Sequence, residues 1–331
     1  MRLILAFVAL LPLPALADST RTIVDTHILP RVTALTDTTE TLKTVATQTC
    51  TPDAPLKDAY GSAFDAWIAL SHLRFGPTET EDRGFALAFW PDSRGATPKT
   101  LTALITQADP VAASASSYAD VSIAARGFYA LEFLLHDAAF ADLGDATYRC
   151  QLIQTITADI ATLAVAIQTD WQNDYAAHLL RPGADGPYRT DAEATQELFK
   201  ALSTGLQFTS ESRLGRPLGT FDKPRATRAE ARRSERSLRH VQISLASLKT
   251  LAMALAKDAP DLQEKLDQRF TKAISLAERL DDPAFAGVAE PASRIKVEAL
   301  QSAVEAIRSA VALDLGPYLG VSSGFNSLDG D

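Results

Sequence analysis

The sequence predicts an all-α protein built as two helical bundles, and three observations carry that prediction. Long stretches repeat apolar residues at helical spacing, glycine is sparse inside them, and the two-residue alternation of a half-buried strand is nearly absent. A chain of 331 residues is long enough for one large or two ordinary domains with a sizeable core.

The elements follow in chain order. Residues 1–17, MRLILAFVALLPLPALA, set Arg2 before an apolar stretch and an Ala-Leu-Ala ending, the pattern of a signal peptide cleaved before Asp18. Export to the periplasm is the expectation. The apolar stretch is too short for a membrane span and is interrupted by Pro12 and Pro14, and no later segment reads as a span, so no transmembrane segment is expected in the mature chain. Helices are predicted over 20–49, 57–73, 98–108, 117–136, 148–180, 191–213, 225–257, 260–280 and 292–313. Breakers separate them: Thr-Pro-Asp at 51–53, Phe-Gly-Pro at 75–77, Trp-Pro-Asp at 90–92 and Arg-Pro-Gly at 181–183.

Helix bundles are the natural architecture for such elements. A weak internal repeat points to two of them, an N-terminal bundle over 18–150 and a C-terminal bundle over 151–331. Phe64, Trp67 and Leu70 lead to Arg74-Phe-Gly-Pro, while Phe199, Leu202 and Leu206 lead to Arg213-Leu-Gly-Arg-Pro. Trp67, Trp90 and Trp171 read as core or interface packing.

Net charge is −9, and loss of Arg2 makes the mature chain one unit more negative, which argues against nucleic acid as a partner. The two cysteines, Cys50 and Cys150, are expected to join in an oxidising compartment.

The stretch RGFYALEFLLHD, 126–137, concentrates the chemistry. At about 100° per residue, Tyr129, Glu132 and His136 share one narrow stripe of a helix that is otherwise apolar nearly all round. Such a helix is buried, and a buried carboxylate requires a hydrogen-bond, charge or metal partner. Arg74 and Arg233 are the candidate partners for Glu132 across the bundle interface. Farther on, Arg225, Arg228, Arg232, Arg236 and Arg239 fall on one face if 225–257 is helical; a solvated surface stripe is the expectation for most of them, with binding of carboxylates, phosphates or haem propionates the alternative. Arg233 lies off that face.

GFYALEFLL resembles the imelysin signature, G-x-H-x-x-E followed by apolar residues. Trp67 with Arg74-Phe-Gly-Pro, Phe89-Trp-Pro-Asp, Arg233-Ser, and the ending Gly324-Phe-Asn with Asp329-Gly-Asp are similar to further stretches of that family. The resemblance covers nearly the whole mature chain. It implies an exported bacterial protein of two helical bundles, linked to iron acquisition, with a site where the bundles meet. The sequence departs from the signature at Tyr129, which stands at the histidine position.

The family's name implies a peptidase, yet the residues argue otherwise. His-Glu-x-x-His is absent, the remaining histidines form no ligand-spaced pair, and no G-x-S-x-G elbow occurs. Ferric iron is a hard cation that favours anionic oxygen donors, so Tyr129 and Glu132, with His136 one turn on, form the candidate metal set. Gly127 permits close helix approach. The expected ligand site is therefore Gly127, Tyr129, Glu132, Arg74 and Arg233. Its expected ligand is iron, haem or another anionic small molecule, and an outer-membrane iron-uptake protein is the expected partner. A peptidase of unassigned mechanism and a non-catalytic adaptor stay open as alternatives.

Overall fold

The computed structural model describes residues 13–321, and among them the protein is helical with no strand. Most of the signal-peptide segment and the 324–331 ending lie outside the described residues. Helix α1 (Leu13–Ile23) runs through a π-helical turn, Val24–Ile28, into α2 (Leu29–Gln48). Helix α3 (Ala54–Leu70) opens with Pro55 in its first turn, where the missing N–H has no partner to lose. Then come α4 (Ala96–Gln107), α5 (Gly127–His136) and α6 (Ala146–Asp170). The last is capped by Asp145, which accepts from the Tyr148 N–H, and it extends through a π turn at Trp171–Tyr175 to Leu180.

The second half holds α7 (Asp191–Gln207), α8 (Ser237–Leu255), α9 (Pro260–Glu278) and α10 (Pro291–Ala310). Thr190 caps α7 by accepting from the Glu193 N–H, while the Glu193 carboxylate reaches back to the Arg189 N–H at 2.7 Å.

Helix α2 packs on α3 and α6, and α5 on α6. Helices α8, α9 and α10 pack in sequence. The halves meet where α3 lies on α8 and α1 lies on α7 and α8. Position 150 falls inside α6. Cys50, just past α2, is bonded to Cys150 of α6, with the Cα atoms 5.1 Å apart. The 146–180 helix is long and apolar enough to cross a membrane by length and composition, which the sequence reading did not anticipate. Its apolar residues Leu152, Ile156, Ile160 and Ile167 are buried in the core, which accounts for that composition.

Two predicted helices are broken. The 117–136 helix is a short turn at Ala115–Tyr118, a 3-10 turn at Ile123–Ala125, and then α5 from Gly127. Gly127 has φ +72°, and a Cβ there would sit 2.3 Å from the Ala86 carbonyl oxygen and 2.2 Å from that of Leu87. Only glycine lets α5 begin so close to that backbone. The 225–257 helix starts only at Ser237, because Ala231 and Glu235 adopt positive φ and fold the preceding segment into turns. The arginine face therefore does not form. Arg236 and Arg239 instead pair with Asp65 of α3.

Candidate functional site

Helix α5 is buried from Gly127 to Leu135, and its polar stripe faces the turns of 229–236. Tyr129, 6 % exposed, donates its hydroxyl to Glu230 Oε1 at 2.5 Å. Arg213 donates Nε to Glu230 Oε2 at 2.7 Å and Nη1 to Ser244 Oγ at 2.9 Å. His240 Nδ1 lies 3.1 Å from the same Glu230 oxygen, and the Glu230 carbonyl accepts the Ser237 hydroxyl. Glu230, 1 % exposed, is thus a carboxylate hub joining α5, the π turn Phe208–Leu214 and α8. Burial alone would raise its pKa, but the Arg213 guanidinium, then His240 and Tyr129, outweigh burial and hold it down at about 2. Burial, then the Glu230 charge, raises the Tyr129 phenol well above its ordinary value. Tyr129 is accordingly a neutral donor, not a phenolate.

Glu132 has a different partner. Its Oε1 accepts the Ser234 backbone N–H at 2.9 Å and the Ser234 hydroxyl at 2.7 Å, across from the N-terminal half to the C-terminal half. Burial raises its pKa above the ordinary carboxylate value, and the Ser234 hydrogen bonds, with the nearby Arg233 and Arg232 charges, oppose that rise. Neither expected arginine bonds to it. Arg74 pairs with Glu79 at 2.6 Å and lies over the Phe85 ring, and Arg233 pairs with Asp137 at 2.5 Å and lies 3.6 Å over the Phe133 ring. The directly bonded arginine–carboxylate pair of the buried site is Arg213–Glu230. Sequence reasoning missed it, because it read 225–257 as one helix with a solvated arginine face. The one signal was Arg213's position as the repeat counterpart of Arg74.

His136 goes elsewhere again, its ring 5.5 Å from that of Tyr60. Burial, then Lys57 and Arg236, depresses its pKa to about 4. The three residues of the candidate metal set therefore share a stripe but turn to Glu230, Ser234 and Tyr60 separately. Among the described residues no three His, Cys, Asp or Glu side chains are grouped to hold a metal ion.

Tyr129 and Trp90 stand between two cavities. The larger, about 480 Å³, lies between the ends of α3 and α7, the two helices of the sequence repeat. Trp67, Phe75, Phe85 and Phe208 give it aromatic walls, and its three cations, Arg74, Lys200 and Arg213, each pair with a carboxylate of the same lining, Glu79, Glu197 and Glu230. Gly205 of α7 lets this wall close up, since a Cβ there would meet Leu248 at 2.6 Å and His72 at 2.9 Å. His72, on the same wall, has its Nε2 2.8 Å from that of His27 on the π turn after α1. The smaller cavity, about 350 Å³, is lined by Glu132 and Arg233.

The imelysin family model matches residues 28–311. An imelysin-like protein from Psychrobacter arcticum 273-4 is similar in structure, with TM-score 0.80 and 18 % identity over 97 % of this chain and all of that one. A protein from Parabacteroides distasonis ATCC 8503, carrying the name iron-regulated protein A precursor, aligns with TM-score 0.73 and 13 % identity over 92 % of this chain and 97 % of its own. No curated protein matches the sequence. The helical architecture is that of imelysin-like proteins, and with most of its length matched by the family model, the chain belongs to the imelysin family.

Proposed function

We propose that this protein is an exported, periplasmic binding component of iron or haem acquisition, and that its ligand seats in the larger cleft. One observation carries the reading: a cleft of about 480 Å³ with aromatic walls, in which Arg74 and Lys200 are partly exposed cations held only by Glu79 and Glu197 of the same lining. A flat apolar molecule with carboxylates suits such a lining, since the rings stack on its apolar body and its carboxylates exchange with Glu79 and Glu197 for Arg74 and Lys200. Haem has that chemistry, as does an anionic iron chelate. His72 is the lining side chain of a type that ligates haem iron, while Tyr129 stays a neutral donor to Glu230. The iron-regulated name of the Parabacteroides protein supports the same direction.

The test is direct. Haemin titrated into the protein should give a saturable shift of its Soret band at one equivalent, weakened in Arg74→Ala and Lys200→Ala, whose side chains are partly exposed and are not part of the Glu230 hub. Metal analysis of protein purified without chelator covers the iron arm. If neither haem nor iron binds stoichiometrically, and zinc with peptide turnover appears instead, the peptidase alternative replaces this reading.

A further inference from the structure

The smaller cavity carries a charge imbalance that the Glu230 and Glu132 contacts leave unexplained. Its lining residues of charged type are Asp92, Glu132, Arg216, Arg228 and Arg233. Both acids are engaged: Asp92 accepts the Ala96 and Thr97 N–H groups at 2.9 and 2.8 Å at the start of α4, and Glu132 accepts from Ser234. Arg233 is paired with Asp137. Arg216 and Arg228 remain, and among the described residues neither has a carboxylate at ion-pair distance.

These two arginines are held together by the fold. Arg216 sits in the short helix Gly215–Leu218 and Arg228 in the 3-10 turn Ala226–Arg228, and the two elements pack on each other. Arg216 lies over the Trp90 ring at 5.5 Å, and its Nε–H is buried without an acceptor. Burial, then the Arg228 charge, lowers the Arg216 pKa. A buried donor with no acceptor is unfavourable, and two like charges beside one cavity repel. A ligand that brings oxygens and negative charge between them relieves both.

We propose that this second cavity binds a small oxyanion, a phosphate monoester or a carboxylate, through Arg216 and Arg228, with the body of the ligand beside Trp90 and Phe133. Neither arginine lines the larger cleft, so the site stands whether or not haem or iron binds there.

Isothermal titration of the full mature protein with inorganic phosphate, and separately with malonate, tests the proposal, with the melting temperature followed in parallel. At least one anion should bind saturably at one equivalent and more weakly as salt is raised. Arg216→Gln and Arg228→Gln should each weaken it by about tenfold or more, the scale of a lost charge-assisted hydrogen bond. Preference for phosphate or for malonate then identifies the source of the oxyanion. Arg228 is exposed, so Arg228→Gln leaves the packing intact and is the decisive variant. Absence of saturable binding by both anions, or wild-type affinity in Arg228→Gln, overturns the proposal.

Discussion

Two glutamates, buried to a similar degree, sit about a helix apart in character. Glu230 is ionised and triply contacted, while Glu132 relies on a single serine and is pushed toward protonation by burial. Replacing Glu132 by Gln keeps an acceptor for Ser234, so urea unfolding should change by less than about 1 kcal/mol; Ala leaves the Ser234 N–H without its acceptor and should cost about 1–3 kcal/mol. A Gln variant that destabilises as much as the Ala variant would show that the charge itself is structural. Glu230 governs the acid limb. Its folded pKa of about 2 lies below the ordinary 4.5, so the stability it contributes is complete above about pH 4.5 and is lost as pH falls toward 2. The buried histidines act at higher pH. Burial, then Arg31 and Arg213, lowers His72 to about 3, so its neutral form stabilises the fold above about 6.5 and that stability drains as pH falls toward 3. Unfolding free energy measured across pH should therefore decline in two stages. Glu230→Gln should remove the lower stage while lowering stability at neutral pH by about 3–5 kcal/mol, because Arg213 is left buried with its charge unmatched. An unchanged profile below pH 4.5 would contradict the hub assignment. At this scale the sequence was informative about α5 and silent about its partners: a carboxylate in an apolar helix demands a partner, but Ser234 and Glu230 look like ordinary surface residues among arginines.

At the scale of elements, helix-period patterning located the long helices well, because alternating apolar and polar faces are what a two-sided packed helix requires. It failed over 225–236. That stretch is rich in Ala, Arg and Glu, all strong helix formers, and the positive φ values that break it fall on Ala231 and Glu235, residues that carry no turn signal. Tertiary bonds override the propensity there: Ser234 reaches Glu132, and Ser237 reaches the Glu230 carbonyl. The π turns were equally invisible, yet one of them, Phe208–Leu214, carries Arg213 and another, Val24–Ile28, carries His27. Insertions of this kind are frequent at functional sites. Gly127 is the element-scale control point, since it sets where α5 begins and how near it comes to the Ala86–Leu87 backbone. Gly127→Ala combines a disfavoured backbone region with contacts near 2.2 Å to carbonyl oxygens that cannot swing aside, and it should destabilise by about 2–4 kcal/mol. A loss below about 1 kcal/mol in chemical denaturation would mean that α5 can start elsewhere.

The whole molecule is tied by contacts that are remote in sequence. Asp18, the first residue of the expected mature chain, pairs with Lys257 beyond α8, while α3 meets α8 through Asp65 and its two arginines. The disulfide acts at the same scale. It fixes the end of α2 to α6, two helices that already pack along their length, and closes a loop with a sequence separation of 100. In the chain-entropy picture a loop of that length restricts the unfolded chain by up to about 4.7 kcal/mol, with measured gains commonly smaller. The double variant Cys50→Ser, Cys150→Ser should therefore unfold at lower denaturant concentration by an amount corresponding to about 2–4 kcal/mol. Its denaturant slope should rise, because an unfolded chain freed of the cross-link exposes more surface. Ligand binding distinguishes this constraint from a role in the site. Neither sulfur lines either cavity, so the double variant should bind haemin and oxyanions with wild-type affinity under conditions where it is folded. Affinity lost in step with stability would instead place the α2–α6 junction in control of the cleft.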